Sequence, residues 1–165
     1  MKKFLFLFLI SSAVYAQKND SIKKHEIKFT FADQNEKFGS MVGVSYENML
    51  DKKHTYGFET LYGTGYSKQD IKRSLSLTAF YRRYFFKNWN GFFTEGFLMY
   101  ANYNSRNGIE EPGRLFLGVS LGVKFVIDNT ITIGGNLGAG IDLIHIASKD
   151  FSFGVKNGIS IGYRF

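Results

Sequence analysis

The feature that most constrains this chain is a long alternation of residue types with a period of two. Between Leu115 and Ile127 every odd position is apolar, while the even positions include two glycines, a serine and a lysine. Successive side chains of a β-strand point to opposite faces, whereas an α-helix would spread the same residues around its circumference. This segment is therefore predicted to be a strand, and a longer one than most globular proteins contain.

The same alternation recurs along the chain and predicts eight strands. It continues through residues 131–143 and 151–165, where large apolar residues again face glycine, serine and charged residues. Earlier strands are predicted at 25–31, 39–48, 54–63, 71–85 and 91–103. The last of these is so aromatic on both faces that its parity is not assigned. Short connections alternate with mostly longer, polar ones, as in an up-and-down meander with its tight turns at one end.

Composition supports an all-β chain and narrows the sites it can hold. The sequence has 18 Gly, 18 Phe and 10 Tyr, and glycine disfavours helices while aromatic residues favour strands. Cysteine is absent, so disulfides, thiolate metal sites and lipid attachment through cysteine are excluded. The formal net charge of +7 is distributed without long basic runs, so nucleic acid is not an expected partner.

The first residues are predicted to be an export signal. Lys2 and Lys3 precede an apolar run from Phe4 to Ile10, and the segment ends at Ala16 with small residues of the kind a signal peptidase recognises. The apolar run is too short to cross a bilayer. The chain is therefore divided into a signal peptide at 1–16, a short N-terminal lead at 17–23 and a barrel at 24–165.

The two faces of the strands indicate that the polar face lines a closed barrel. Glycines of the last two strands lie on the polar face, which suits crowding around an axis. The other face is almost uninterrupted by charge, as a lipid-facing wall must be, since a charge at the bilayer midplane costs about 2 to 4 kcal/mol. Eight strands leave a lumen filled by side chains rather than a pore. The charged residues expected inside, which can pair with one another, are Glu26, Lys28, Glu47, Glu59, Arg82, Arg114, Lys124, Asp142, Lys156 and Arg164.

Aromatic residues around the fourth connection are expected at a membrane boundary. They are Tyr84, Phe85, Phe86, Trp89, Phe92 and Phe93, and Tyr163 and Phe165 at the chain end are expected at the same boundary. Amphipathic rings favour the membrane–water interface, although an aromatic core cluster would use the same residue types.

The strand pattern and the chain end resemble a known family of membrane proteins. A cleavable signal, eight alternating strands and a last strand with Ile161, Tyr163 and Phe165 look like the small outer-membrane β-barrels of the OmpA/OmpX type. The resemblance implies an eight-stranded antiparallel transmembrane barrel in the outer membrane of a Gram-negative bacterium. It also implies contact with outer-membrane lipid and lipopolysaccharide, recognition of the last strand by the barrel-assembly machinery, and a monomeric state.

Two matches to the G-x-S-x-G pattern, around Ser120 and Ser160, do not predict a hydrolase. In α/β-hydrolases this serine occupies a turn from strand to helix, whereas both serines here fall within alternating strands. His145, with Ser148 and Asp150 nearby, is a candidate for the lipid A chemistry that some eight-stranded barrels perform. Its spacing from Ser148 does not place both polar groups on one strand face, so it is interpreted as a rim histidine.

The sequence thus predicts a non-enzymatic outer-membrane barrel with a side-chain-filled interior, acting in envelope integrity or in surface interaction through its outer loops. No catalytic, cofactor-binding or metal-binding residue is assigned. The longest loop, Asn104 to Arg114, is the expected binding surface. Two alternatives stay open: a lipid A-modifying barrel enzyme, and a soluble periplasmic lipocalin-like carrier whose apolar face would point inward.

Overall fold

The computed structural model describes residues 23–33, 40–64, 71–105, 110–144 and 152–165. Its strands are β1 His25–Asp33, β2 Ser40–Met49, β3 His54–Gly63, β4 Ile71–Tyr84, β5 Gly91–Ser105, β6 Glu110–Ile127, β7 Ile131–Asp142 and β8 Phe153–Arg164. Each strand pairs antiparallel with the next, and β8 pairs with β1 to close the barrel. The predicted eight-stranded up-and-down barrel is confirmed.

Residues 1–22 lie outside the described ranges, so the signal peptide at 1–16 stays a prediction. A short 3₁₀ helix, Lys87–Trp89, lies in the connection between β4 and β5. Among the described residues, no helix has the length and apolar character needed to cross a bilayer.

The alternation in the sequence corresponds to the two faces of the barrel wall. Phe58 on β3 is 60% exposed, whereas its neighbour Glu59 is 6% exposed. Of the charged residues expected inside, all are buried except Arg114, which is partly exposed. Apolar side chains therefore point outward and charges inward, which is the opposite of the arrangement that a lipocalin-like carrier requires.

A β-bulge in β4 changes which residues face the lumen near the loop end of the barrel. Arg73 pairs with Tyr103 and Leu75 pairs with Asn102, which leaves Ser74 as an extra residue in β4. An extra residue interrupts the alternation of faces. Arg73 is consequently buried in the lumen, although strict alternation would place it on the outward face with Leu77.

A second bulge lies at the start of β6, which begins at Glu110 rather than at the predicted residue 115. Ala101 pairs with Arg114 and Tyr103 with Glu111, so one residue of β5 is opposite Pro112 and Gly113. Proline cannot donate to a strand ladder and is tolerated at bulges. Pro112 is therefore accommodated at the bulge, and the strand continues on both sides of it.

The parity of β5 explains why the aromatic boundary is only partly as predicted. Phe93, Glu95 and Phe97 are buried and face inward, while Phe92 is exposed. Around the turn, Phe85 and Phe86 are exposed as expected. Tyr84, Trp89 and Phe93 are instead buried and, with Met49, form an internal apolar cluster. Phe85, Phe86 and Phe92 thus face outward, and their place at a membrane boundary stays a prediction, whereas the prediction is wrong for the three buried rings.

The seam between β1 and β8 is paired mainly at the short-turn end. Its register runs from Glu26 opposite Arg164 to Phe31 opposite Ile159. Within the described ranges, the β1–β8 register does not extend to residues 153–158, which pair with β7.

Candidate functional site

The middle and the short-turn end of the lumen hold a network of buried charges, called the inner network below. It comprises Glu26, Lys28, Glu47, Glu59, Arg82, Glu95, Lys124, Lys156 and Arg164. Every strand except β7 supplies a charged member, and Thr132 of β7 donates to Glu26 at 2.6 Å. The strand alternation brings these side chains to one axis, because each lies on the inward face.

Glu47 lies at the centre of the inner network and is fully buried. Arg82 Nη1 donates to its Oε2 at 2.7 Å, and Lys124 Nζ donates to its Oε1 at 3.2 Å. The side chains that donate to Glu47 are Lys28, Thr55, Arg82, Tyr84 and Lys124. A buried carboxylate needs several donors to replace its lost hydration, and Glu47 has them.

Glu26 joins the two ends of the chain within the inner network. Lys124 Nζ donates to its Oε2 at 2.9 Å, and Arg164 Nε donates to the same oxygen at 3.2 Å. Because Glu26 and Arg164 are also paired across β1 and β8, this ion pair lies directly on the barrel seam. The network therefore supports closure of the barrel.

Glu95 carries the network toward the middle of the lumen. Arg82 Nε donates to it at 2.6 Å and Lys156 Nζ at 2.7 Å. The Ser120 hydroxyl donates to its Oε1 at 2.9 Å. The Arg82 guanidinium also lies between two rings, 4.2 Å from the centre of Phe80 and 4.6 Å from that of Phe93. Cation–π contacts of this kind gain strength when desolvated.

The connection between β4 and β5 folds under the short-turn end of the lumen. Asn88 and Trp89 have positive φ angles of 67° and 52°. The indole Nε1 of Trp89 donates to the carbonyl oxygen of Asp51 at 2.5 Å, and Arg164 Nη2 donates to the Trp89 carbonyl at 3.0 Å. The ring of Trp89 thus covers the inner network on this side. The two hydrogen bonds join the β4–β5 connection to the β2–β3 turn and to β8.

The loop end of the lumen, called the mouth below, has a different character. Arg114 Nη1 contacts Ser152 Oγ at 2.5 Å and Asp142 Oδ2 at 3.5 Å. Arg73 Nη2 lies 3.4 Å from both Tyr103 Oη and the Val155 carbonyl oxygen. Arg73 Nε and Ser76 Oγ are buried here without a hydrogen-bond partner, as are Ser45 Oγ and Thr78 Oγ1 at the level of Glu59. The Arg73 guanidinium is therefore less well satisfied than the cations of the inner network, each of which contacts a carboxylate.

The two described histidines lie at the short-turn rim. His25 Nδ1 is 2.6 Å from Tyr46 Oη, and its ring stacks on Phe165. His54 Nδ1 is 2.8 Å from Asp51 Oδ2 in the exposed β2–β3 turn. The backbone N–H of Lys53, followed by the His54 side chain, lowers the pKa of Asp51 from 3.8 to about 2. Both histidines are thus engaged in local turn and seam contacts.

The two described serines of the G-x-S-x-G matches, Ser120 and Ser160, are not in the setting of a catalytic nucleophile. Ser120 lies within β6 and donates to Glu95, while Ser160 lies within β8 opposite Thr30. Neither position is a strand-to-helix turn, as a hydrolase elbow requires. His145, Ser148 and Asp150 lie outside the described residues, as does much of the loop around residues 106–109. Among the residues that the structure describes, no group of three His, Asp or Glu could hold a metal ion.

Several lumen residues were missed from the sequence, each for a local reason. Glu95 lies on the strand whose parity the aromatic residues conceal. Arg73 is turned inward by the bulge at Ser74. Tyr84 and Trp89 belong to an aromatic run that composition associates with the membrane boundary. Glu95 is a charged residue in the middle of an aromatic strand, and this could have indicated which face of the strand points inward.

Comparison with known proteins supports the fold but gives no assignment by sequence. No protein-family model matches the chain. No curated protein sequence matches it either. The crystal structure of the N-terminal β-barrel domain of Pseudomonas aeruginosa OprF superimposes with a TM-score of 0.66 at 12% identity, covering 87% of this chain and 98% of that one. The architectural resemblance to OmpA-type barrels is therefore confirmed, and this chain has the fold of an eight-stranded outer-membrane β-barrel.

Proposed function

We propose that this chain is a non-enzymatic integral protein of the bacterial outer membrane, whose barrel is a closed anchor and whose loops act in surface interaction or envelope integrity. The observation that best supports this is the combination of an apolar outer wall with a lumen occupied by bonded charges. The wall suits lipid contact. The lumen leaves the loops as the part free to contact other molecules.

Location is tested by a heat-modifiability gel on washed outer membranes. Unboiled protein is expected to migrate differently from boiled protein in dodecyl sulfate, because a closed barrel resists the detergent. Recovery of the chain in the soluble periplasm would contradict the proposal.

Closure of the lumen is tested by conductance measurements in planar lipid bilayers. The inner network spans the lumen with ion pairs between strands that are not neighbours, such as Lys124 of β6 with Glu47 of β2 at 3.2 Å and Lys156 of β8 with Glu95 of β5 at 2.7 Å. We expect no stable single-channel steps after insertion of the folded barrel. Regular steps of one defined conductance would show an open path and would contradict a closed anchor.

The absence of enzymatic function is tested on lipid A directly. Mass spectra of lipid A from a deletion strain and from its parent are expected to be identical. A changed acylation pattern that is reproduced by His145→Ala would instead identify a lipid A-modifying enzyme.

We further infer that the chain inserts as a monomer through the barrel-assembly machinery, which would recognise the last strand. Phe165 donates its N–H to the His25 carbonyl at 2.9 Å and stacks on the His25 ring. Phe165→Ala is expected to reduce the folded fraction in the outer membrane. Phe153→Ala, at the other end of β8, is the matched control. Equal loss in both variants would contradict a special role for the terminal residue.

A further inference from the structure

Arg73 differs from the other buried cations of the barrel. It is 2% exposed. Lys28, Arg82, Lys124, Lys156 and Arg164 are also buried, and each contacts a carboxylate. Among the described residues, no carboxylate lies within ion-pair distance of Arg73. A buried guanidinium without an anion carries a desolvation cost that the rest of the lumen avoids.

The contacts that Arg73 does make are with neutral groups and are long. Both Nη atoms lie 3.4 Å from the Val155 carbonyl oxygen, Nη2 lies 3.4 Å from Tyr103 Oη, and Nη1 lies 3.9 Å from the Met99 sulfur. Nε has no partner. A guanidinium has five N–H donors in a planar fork, so most of its capacity for a charged acceptor is unused.

The same strand presents further unused polar groups to the lumen. Ser76 and Thr78 follow Arg73 on the inward face of β4, and the hydroxyls of both are buried without a partner. Their Cα atoms are separated by about 7 Å, the spacing of alternate strand residues. Hydroxyls can donate to an anion that the guanidinium holds. The mouth therefore offers a row of donors without a matching acceptor.

Arg73 lies at the loop end of the lumen. It lies at the loop end of β4, two residues after the strand begins at Ile71. Its fork reaches the Val155 carbonyl oxygen of β8, on the opposite side of the barrel. The guanidinium thus lies across the loop end of the lumen.

We propose that the mouth of the barrel binds a phosphate group on Arg73, with Ser76 as a second donor. A phosphate oxyanion matches the bidentate guanidinium fork, neutralises its charge and retains oxygens that can accept from hydroxyls. A neutral ligand would leave the buried charge uncompensated. The group can come from free phosphate or from a phosphorylated lipid headgroup of the surrounding leaflet, since both present the same oxygens.

The test is a titration of inorganic phosphate into the full chain, folded in dodecyl maltoside, a detergent without phosphate. Calorimetry is expected to show one saturable site per barrel. Arg73→Gln is expected to weaken binding at least tenfold, and Arg73→Lys, which keeps the charge but loses the fork, is expected to be intermediate. Arg83→Gln is the matched control, because Arg83 is an exposed arginine on the same strand. The heat-modifiability gel verifies folding of each variant.

Ser76→Ala provides a variant that keeps every charge, and because the Ser76 hydroxyl has no partner, folding is expected to be retained. Its phosphate affinity is expected to fall severalfold. Competition with lipid A then identifies the source: displacement of phosphate assigns the site to a lipid headgroup, and lack of displacement assigns it to free phosphate. Either outcome of the competition presupposes that phosphate binds at the site.

The absence of saturable phosphate binding by the unmodified chain would overturn the proposal. Glu111 is opposite Tyr103 in the β5–β6 register and is thus level with Arg73. If binding then appears in Glu111→Gln alone, an internal carboxylate, and not a ligand, compensates the guanidinium.

Discussion

The inner network and the mouth occupy the same lumen but satisfy their polar groups to different degrees. In the inner network, Glu47, Glu26 and Glu95 each accept from at least two cations. At the mouth, Arg73 contacts neutral acceptors, and Arg73 Nε and Ser76 Oγ lack partners. Fully satisfied polar networks rigidify a core, whereas an unpaired buried polar group carries a desolvation cost unless a water, an ion or a ligand satisfies it. The comparison predicts that the inner network stabilises the barrel, while the mouth keeps donors for the proposed phosphate.

The largest expected difference is between two buried arginines of β4. Arg82→Gln leaves Glu47 and Glu95 each short of a charged partner, so it is expected to lower the free energy of unfolding by about 3 to 5 kcal/mol. Arg73 contacts no carboxylate among the described residues. Arg73→Gln is therefore expected to change the free energy of unfolding by less than about 1 kcal/mol. Urea titrations in lipid vesicles and phosphate-free buffer measure both. Equal losses would remove the distinction between the two halves.

A smaller effect is expected from filling space beside the inner network. A Cβ added at Gly138 would lie 2.3 Å from Ser120 Cβ and 2.4 Å from the Val119 carbonyl oxygen. Gly138→Ala is therefore expected to cost about 1 to 3 kcal/mol. At Gly96, on the outward face of β5, an added Cβ would meet nothing within 4 Å. Gly96→Ala is the control in the same urea titration, and a similar loss there would indicate a strand-propensity effect instead.

Removing the indole donor that covers the inner network is expected to have a still smaller effect. Trp89→Phe keeps an apolar ring but loses the bond from Nε1 to the Asp51 carbonyl oxygen. The expected cost is about 1 kcal/mol. Because the chain contains a single Trp, the unfolding midpoint is followed by gel shift and not by fluorescence. Phe85→Leu, at an exposed ring of the same connection, should leave the midpoint unchanged. A shift of equal size in Phe85→Leu would argue against a specific contribution from the Trp89 hydrogen bond.

The smallest expected effect is the pH dependence of the β2–β3 turn outside the lumen. The pKa of Asp51 is lowered from 3.8 to about 2, so its contribution is present above pH 3.8 and lost as the pH falls through about 2. Asp51→Asn should therefore reduce the stability difference between pH 5 and pH 2. Asp128→Asn, in the β6–β7 turn, is the charge-matched comparison. A larger change from Asp128→Asn would show that acid sensitivity originates elsewhere.

Alternation of residue types was sufficient to predict the strands and most of the inner network. Glu47, Lys124 and Lys156 follow the period of two in strands whose apolar face is unambiguous. Glu95 was missed because large aromatic residues occupy both faces of its strand. Arg73 was missed because an extra residue at Ser74 reverses the local parity. Trp89 was missed because two positive φ angles turn its ring under the lumen, which its residue type does not indicate.

The sequence by itself determined the strand count and the division of most strands into a polar and an apolar face, because side-chain direction in a strand depends only on local backbone geometry. Tertiary structure decided that the sheet closes, that the polar face lines the interior and which charges meet. Lys124 donates to Glu26 across 98 residues of chain, and Arg73 reaches Val155 across 82. Such distances depend on register, bulges and barrel closure together, and these are set by the cooperative pairing of all eight strands. The difference between a saturated network and an unsatisfied mouth therefore exists only in the folded barrel.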